Sequence, residues 1–554
     1  MYGGMMEMIT RIRQRHHPQP HHHEATQYSR VETVESITQN AGATSPSCND
    51  YQQEEILPAG SNASKSFLEI DNDHGDACPT TTMLTAPEGT ESQISVALNL
   101  AKCICGAGSF ALPHVFLKEG VWGGTIALTT CAVLASSTLQ SLMTSKQLAA
   151  GIYAHPILSY VDLAECTLGS WAAMIVFVLT LSASLGVCST YLVFIGQTMA
   201  SLSKDATSHN IVRQFAADVP VRTWEVLALI VLYPLSLIRD YSIFAFTSTV
   251  GVVAVVGGIL VTLASGIYVQ PGGGLQAAWD AIFINDSDNS NALPTYAVPM
   301  WPESMADAFG GSFGTIAYLF CVNFLTFPIM NSMKEPQHYG ISVKAAIVGV
   351  WLVNLVFAIL CLGFYGRDTQ DLVLANLDNG PYLSALKLLL CIDLLFTFPI
   401  VFSSGRQILE NAILGPPSSS DVVESSQEVS SSILIARGVL AATAMTVCFG
   451  LAQIGGFGAV ANLVGGVAQG TLAFIMPPAI AVSLKRNQRR HCNPQVGVSA
   501  GAADYFPLDG GEFRQFLLGV FGVVVVSSVT FFTGKELFEK RLWHWRFELD
   551  RLFI

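Results

Sequence analysis

The chain has 554 residues, of which 51% are hydrophobic and only 12% charged, with a mean hydropathy of +0.45. A soluble protein carries about 25% charged residues, so a soluble globular class is excluded. The net charge of −13 gathers its acidic excess in the N-terminal region and the loops, and no basic, aromatic-interleaved patch points to a nucleic-acid partner.

Residues 1–90 are rich in Ser, Thr, Asn, Asp, Gln and His and hold no useful amphipathic run. Such a segment buries too little apolar surface to offset the entropy of ordering it, and it reads as a disordered cytoplasmic tail. The run Met5-Met6-Glu7-Met8-Ile9 is too short for a signal-peptide core. The cluster His16, His17, His21, His22 and His23 reads as a solvated polar tract rather than a metal site.

From residue 94 onward, apolar stretches long enough to cross a hydrocarbon core of about 30 Å recur. They predict spans at 94–117, 121–144, 172–200, 224–239, 241–268, 308–332, 345–365, 382–404, 433–452, 457–483 and 514–533. The fourth is short and interrupted by Pro234. The expected organisation is a transmembrane domain over 91–535 and a short C-terminal tail over 536–554.

Charge near the span ends sets the orientation. With the N-terminus in the cytosol, the cytoplasmic connections receive Lys146, Arg239, Lys334, Lys344, Arg406, Lys485, Arg486, Arg489 and Arg490. The opposite side receives fewer, namely Lys118, Lys204, Arg213, Arg222 and Arg367. The loop at 270–307 has no Lys or Arg and carries the glycosylation sequon at Asn285, which needs a non-cytosolic address. Eight of the twelve cysteines fall inside spans, where a thiol acts as a small polarizable apolar group; neither a disulfide framework nor a metal site is expected.

Two spans are poor continuous helices. The first contains Lys102, Cys105, Gly106, Ala107, Gly108, Ser109 and Pro113; the sixth contains Asn323, Thr326 and Pro328. Glycine weakens a helix and proline removes a donor. Spans one and six lead two five-helix halves, and broken helices at matching places in two halves point to a midplane binding site. An unwound segment frees N–H groups for a carboxylate and carbonyls for a cation. Close packing of small residues is the competing reason for the glycines.

These residues carry a resemblance. Gly106-Ala-Gly108-Ser-Phe-Ala-Leu-Pro113 resembles the first-helix signature of the amino acid/auxin permease family. Met333-Lys334-Glu335-Pro336, Phe398-Pro399 with Arg406 and Glu410, and Gly456-Phe-Gly458 through Leu472-Ala-Phe-Ile-Met-Pro477 are similar to its later motifs, in family order. The resemblance implies an all-α integral membrane fold of about eleven transmembrane helices, a 5+5 inverted repeat like the bacterial leucine transporter with one extra C-terminal helix. It also implies secondary transport of amino acids across a plasma, vacuolar or lysosomal membrane, without enzymatic activity or cofactor. Expected substrate contacts are Cys105, Gly106, Ala107, Gly108, Ser109, Asn323 and Thr326.

One departure matters. Sodium-coupled members resemble Asn-x-x-x-Gly in the first helix, and here the Asn position is Lys102. A lysine inside a membrane is a functional-site hypothesis. In the eighth span, Asp393 lies one turn before Thr397, which resembles the family's sodium-binding Thr. Lys102, Asp393 and Thr397 are therefore the expected coupling site, with the ammonium where sodium would sit and symport with a proton, or sodium independence, as the outcome. Ser182, Ser184, Ser189, Tyr191 and Asn462 are weaker pocket candidates, and His114 is a candidate at the first helix's outer end. The alternative function is an amino acid sensor that uses the transporter fold without net flux. No nucleophile–base set, Walker loop or HExxH pattern appears, so an ATP-driven pump or intramembrane protease has no support.

Overall fold

A bilayer core offers no water to backbone N–H and C=O groups, so a chain crossing it must satisfy them within each segment. The described residues of this chain are accordingly almost entirely helical, with one isolated backbone bridge and no extended strand among them. The computed structural model describes residues 91–153, 157, 159–204, 218–238, 242–268, 275, 298–304, 312–377, 380–414, 431–492 and 510–552. The expected tail at 1–90 and the sequon at Asn285 lie outside them.

In chain order the elements are α1 (Gln93–Ile104), a 3-10 turn (Ala107–Ala111), α2 (Leu112–Tyr153), α3 (Tyr160–Leu168), α4 (Ser170–Lys204), α5 (Val221–Leu237) and α6 (Ser242–Tyr268). The second part holds α7 (Phe313–Phe320), a 3-10 turn (Asn323–Leu325), α8 (Thr326–Ser332), α9 (Tyr339–Tyr365), α10 (Pro381–Ile413) and α11 (Ser431–Ala452). Then come α12 (Phe457–Leu463), two π-helical stretches (Val464–Gln469 and Thr471–Ile475), α13 (Met476–Cys492) and α14 (Gly510–Leu552). Among the described residues, nine helical stretches are long and apolar enough to cross a membrane. One of them, Gln93–Tyr153, is two spans joined at Gly120, and α5 is a shorter apolar helix of 17 residues. Each of the eleven expected spans contains helix among the described residues. The chain is a multi-pass membrane protein.

Gly120 is needed where it stands. Its φ of 73° lies in the left-handed region, and a Cβ there would come within 2.6 Å of the Met300 and Trp301 backbone. α2 then runs well past the expected end at 144, because polarity at Thr144–Gln147 does not interrupt helical hydrogen bonding. α14 likewise continues to Leu552, so most of the expected C-terminal tail is helical. Local caps fix other boundaries. Ser92 accepts from the Ser95 N–H at 3.2 Å to start α1, and Ser159 and Asp162 form a reciprocal capping box on α3 at 3.1 and 3.0 Å.

Lipid is as apolar as leucine, so helices in a membrane associate through close packing and interhelical hydrogen bonds rather than exclusion from water. α9 packs along α2, and α4 along α10. Phe110 lies at the centre, 5.9 Å from Phe357 and 6.3 Å from Phe194. Outward-facing aliphatics such as Val253, Leu260 and Leu434 remain more than half exposed, as a lipid-facing surface requires. Buried Arg406 donates to the Ser236 carbonyl at the end of α5 and pairs with Glu410 at 3.4 Å, and Arg437 of α11 reaches Glu410 at 3.8 Å. At the start of α1, the Glu91 N–H donates to the Ser332 carbonyl and the Lys334 N–H to the Glu91 carbonyl, both at 2.9 Å. That bridge ties the entry of α1 to the exit of α8.

Candidate functional site

α1 ends just beyond Lys102. The Cys105 N–H still reaches the Ala101 carbonyl at 2.7 Å, but Cys105 itself leaves helical space at φ −85°, ψ 76°. The next N–H, of Gly106, turns back to the Ile104 carbonyl at 3.1 Å. This is an inverse γ-turn. α7 ends in the same way: the Cys321 N–H reaches Ala317 at 2.8 Å, Cys321 adopts φ −86°, ψ 70°, and the Val322 N–H turns back to Phe320 at 3.0 Å. Each break passes through a short 3-10 turn into its second half-helix, 112–119 on one side and α8 on the other.

With the two cysteines superposed, Lys102 corresponds to Tyr318. The Lys102 ammonium lies 3.4 Å from the Asp393 carboxylate of α10, and the Tyr318 hydroxyl lies 2.6 Å from the Thr190 hydroxyl of α4. The first helix of each half thus reaches the third helix of the other. Both members of the ion pair are largely buried, with side chains 12% and 5% exposed. The Thr397 hydroxyl donates to the same Asp393 oxygen at 3.4 Å. The structure therefore brings Lys102, Asp393 and Thr397 together, and Lys102 faces protein rather than lipid.

The floor under that pair is Gly251 of α6. A Cβ there would fall 1.8 Å from Asp393 Oδ1 and 2.7 Å from Lys102 Nζ. Sequence reasoning missed Gly251, because a glycine among valines carries no sign of what packs on it.

In the first break, Ala107, Gly108 and Ser109 are buried and Cys105 and Gly106 half-buried. Ser109 Oγ donates to Cys105 Sγ at 3.6 Å. Gly108 lies against α7, where a Cβ would meet Leu319 and Tyr318 at 3.0 and 3.2 Å. Gly106 differs, since its Cβ would have only the Lys102 carbonyl within reach, at 3.9 Å. Competing explanations for the two glycines thus separate: Gly108 is a packing contact as well as part of the break, and Gly106 borders open space.

In the second break, Asn323 and Thr326 are fully buried, and the 3-10 turn there packs on α4 and on the π-helical stretch Thr471–Ile475. Neither the Nδ2 nor the Oδ1 of Asn323 has a hydrogen-bond partner among the described residues. A buried amide left this way loses about 1–3 kcal/mol. Asn354 of α9 shares that condition, buried with both amide atoms unpartnered. It too escaped sequence reasoning, being one polar residue in a long apolar run.

Other candidates are engaged elsewhere. Ser184 donates to the Val401 carbonyl at 2.7 Å and Ser189 to its own helix at Leu185, while Asn462 donates to Thr533 at 2.7 Å. These are helix-to-helix or self-satisfied bonds. His114 bonds the Thr369 carbonyl at 3.0 Å and lies 3.3 Å from Asp371, joining the end of the first span to the segment after α9.

Comparison with known proteins adds the family. A family model described as "Transmembrane amino acid transporter protein" matches residues 89–496. The chain is 25% identical over 342 residues to the Arabidopsis thaliana amino acid transporter AVT3C, covering 58% of this chain and 70% of that one. It is 23% identical over 322 residues to vacuolar amino acid transporter 3 of Saccharomyces cerevisiae, covering 58% of this chain and 42% of that protein. Among solved structures it is similar to Mhp1, a nucleobase-cation-symport-1 family transporter, at a TM-score of 0.43 and 12% identity over 82% of this chain and 94% of that one. The matched segment spans both broken helices and the Lys102–Asp393 pair, and the chain belongs to the transmembrane amino acid transporter family.

Proposed function

We propose that the protein is a secondary active transporter that moves an amino acid across a vacuolar or lysosomal membrane without needing sodium. The observation that carries this reading is the pair of matching breaks at Cys105 and Cys321, which frees backbone groups at the corresponding place in two halves. The vacuolar address follows the printed name of the yeast relative.

In this reading the substrate carboxylate meets the N–H groups at 106–109, at the positive end of the half-helix 112–119. The unpartnered Asn323 amide completes the substrate's polar contacts from the other half. Lys102 supplies, between α1 and α10, the positive charge that sodium supplies elsewhere in such folds. An ammonium has three donors and carries the same charge. Asp393 holds that charge in place, and a proton exchanged on this pair during the cycle couples transport to a proton gradient. The N-terminus faces the cytosol, in keeping with the excess of Lys and Arg on that side.

The test is uptake of labelled amino acids into proteoliposomes of the purified full chain under imposed pH and sodium gradients. Accumulation driven by the pH gradient with choline in place of sodium supports the reading. Binding without flux would replace it with a sensor, and loss of uptake in choline would remove Lys102 as the built-in cation.

A further inference from the structure

A lateral groove lies apart from both breaks. It has a volume of about 730 Å³ and runs between α2, α9, α13 and α14. One face of α2 forms its floor, with Ser136, Ser137, Gln140, Ser141 and Thr144 at helical spacing. Its rims are aliphatic, and Val133 and Val348, 63% and 61% exposed, open it sideways toward the bilayer. Trp351 closes the far end by donating to Thr129 at 3.1 Å.

The near end is positive. Lys485 of α13 and Arg514 of α14 both line it. The Lys485 ammonium lies so close to the first turn of α14 that a Cβ on Gly511 would sit 2.9 Å from it. A helix N-terminus is itself a region of positive potential. The carboxylate of that turn, Glu512, is engaged by Arg489 at 3.1 Å. Beside these cations, Gln515 is 9% exposed and its Oε1 has no hydrogen-bond partner among the described residues. The end of the groove therefore presents two cations and one buried acceptor that has no donor among the described residues.

We propose that the groove binds one anionic phospholipid whose headgroup carries hydrogen-bond donors, of the phosphatidylinositol type. The phosphate lies between Lys485 and Arg514, a headgroup hydroxyl donates to Gln515, and an acyl chain follows the rim past Val133 and Val348. Basic pockets between transmembrane helices suit such headgroups, and the lateral opening lets a lipid enter from the membrane plane. A soluble phosphate has no use for the aliphatic rims, and a zwitterionic lipid without donors leaves Gln515 unsatisfied.

The test is native mass spectrometry of the detergent-purified full chain titrated with phosphatidylinositol, phosphatidylcholine or inorganic phosphate, with melting temperature followed in parallel. Phosphatidylinositol is expected to stay bound and raise the melting temperature, and the other two are not. Each of Lys485→Gln and Arg514→Gln should weaken that binding about five-fold, and the pair about thirty-fold, from about 1 kcal/mol per basic residue. Ser137→Phe fills the groove without touching either charge and should also expel the lipid. Equal binding of phosphatidylcholine, equal stabilisation by inorganic phosphate, or full phosphatidylinositol affinity in Ser137→Phe or the double charge variant would overturn the proposal.

Discussion

Cys105 and Cys321 hold the same backbone conformation, φ −85°, ψ 76° and φ −86°, ψ 70°, at the end of the first helix in each half of the chain. Each sends its N–H four residues back and is followed by an N–H that turns back only two. The interruption is thus one local device used twice. Its neighbours differ, with Lys102 reaching Asp393 on one side and Tyr318 reaching Thr190 on the other. That difference places charge on one side of the inverted pair and neutral hydroxyls on the other.

Gly106→Val and Gly108→Val should each abolish amino acid uptake, and their stabilities should diverge. Open space around Gly106 accommodates the new side chain, so its melting temperature should stay near that of the wild type. At Gly108 the added atoms meet Tyr318 and Leu319, and overpacking of about 1–3 kcal/mol should lower it. Proteoliposome uptake and melting in detergent check both. Full uptake by Gly106→Val would remove the first break from the substrate path.

Lys102→Ala and Asp393→Ala should each be strongly destabilising, because either leaves a largely buried charge without its partner, at about 3–5 kcal/mol. The double variant should recover much of that stability and none of the proton-driven uptake. A double-mutant cycle on melting temperature measures the coupling. Additive effects would mean the two charges do not depend on each other.

Asn323→Leu is expected to keep or raise stability, since it removes an amide that is buried and unpartnered. Uptake should fall at least about ten-fold, the loss of one good hydrogen bond to a bound substrate. The opposite pattern, lower stability with normal uptake, would assign Asn323 to structure.

Gly251→Ala tests the floor of the ion pair. Alanine favours a helix over glycine by about 1 kcal/mol, so the substitution would stabilise an unencumbered helix. Here the Cβ would overlap the Asp393 carboxylate, and overlap wins. Melting temperature and uptake should both fall; a rise in melting temperature with normal uptake would separate α6 from the pair.

The loop at 270–307 should face away from the cytosol. An engineered tag in it, or a glycan at Asn285 removable by a glycosidase, should be accessible only from the lumenal or extracellular side. Accessibility from the cytosol alone would invert the orientation.

The spans were legible because a run of apolar residues of membrane length has few other uses, and the breaks because Gly106, Gly108 and Pro328 stand where a continuous helix would avoid them. Lys102 and Asp393 were legible as charges in apolar surroundings. Gly251 was not, since its role depends on side chains from two distant segments. Asn354 and Asn323 differ in the same way: both are buried and unpartnered, but only Asn323 sits at a visible interruption. α2 extends past the expected span end at 144 because hydropathy marks where the lipid stops, while hydrogen bonding marks where the helix stops.

The Glu91 bridge has a mechanical meaning. Its two backbone bonds join the entry of α1 to the exit of α8, and Gln93 adds a side-chain amide that donates to Glu335 at 3.1 Å and a carbonyl that accepts from the Ser342 hydroxyl at 3.0 Å. The two half-helices on that membrane face are therefore yoked by hydrogen bonds. Any opening that tilts α1 alone must first release the Glu91 and Lys334 amides. Their exchange with deuterium would then keep time with the gate, a clock set well away from the site it reports on.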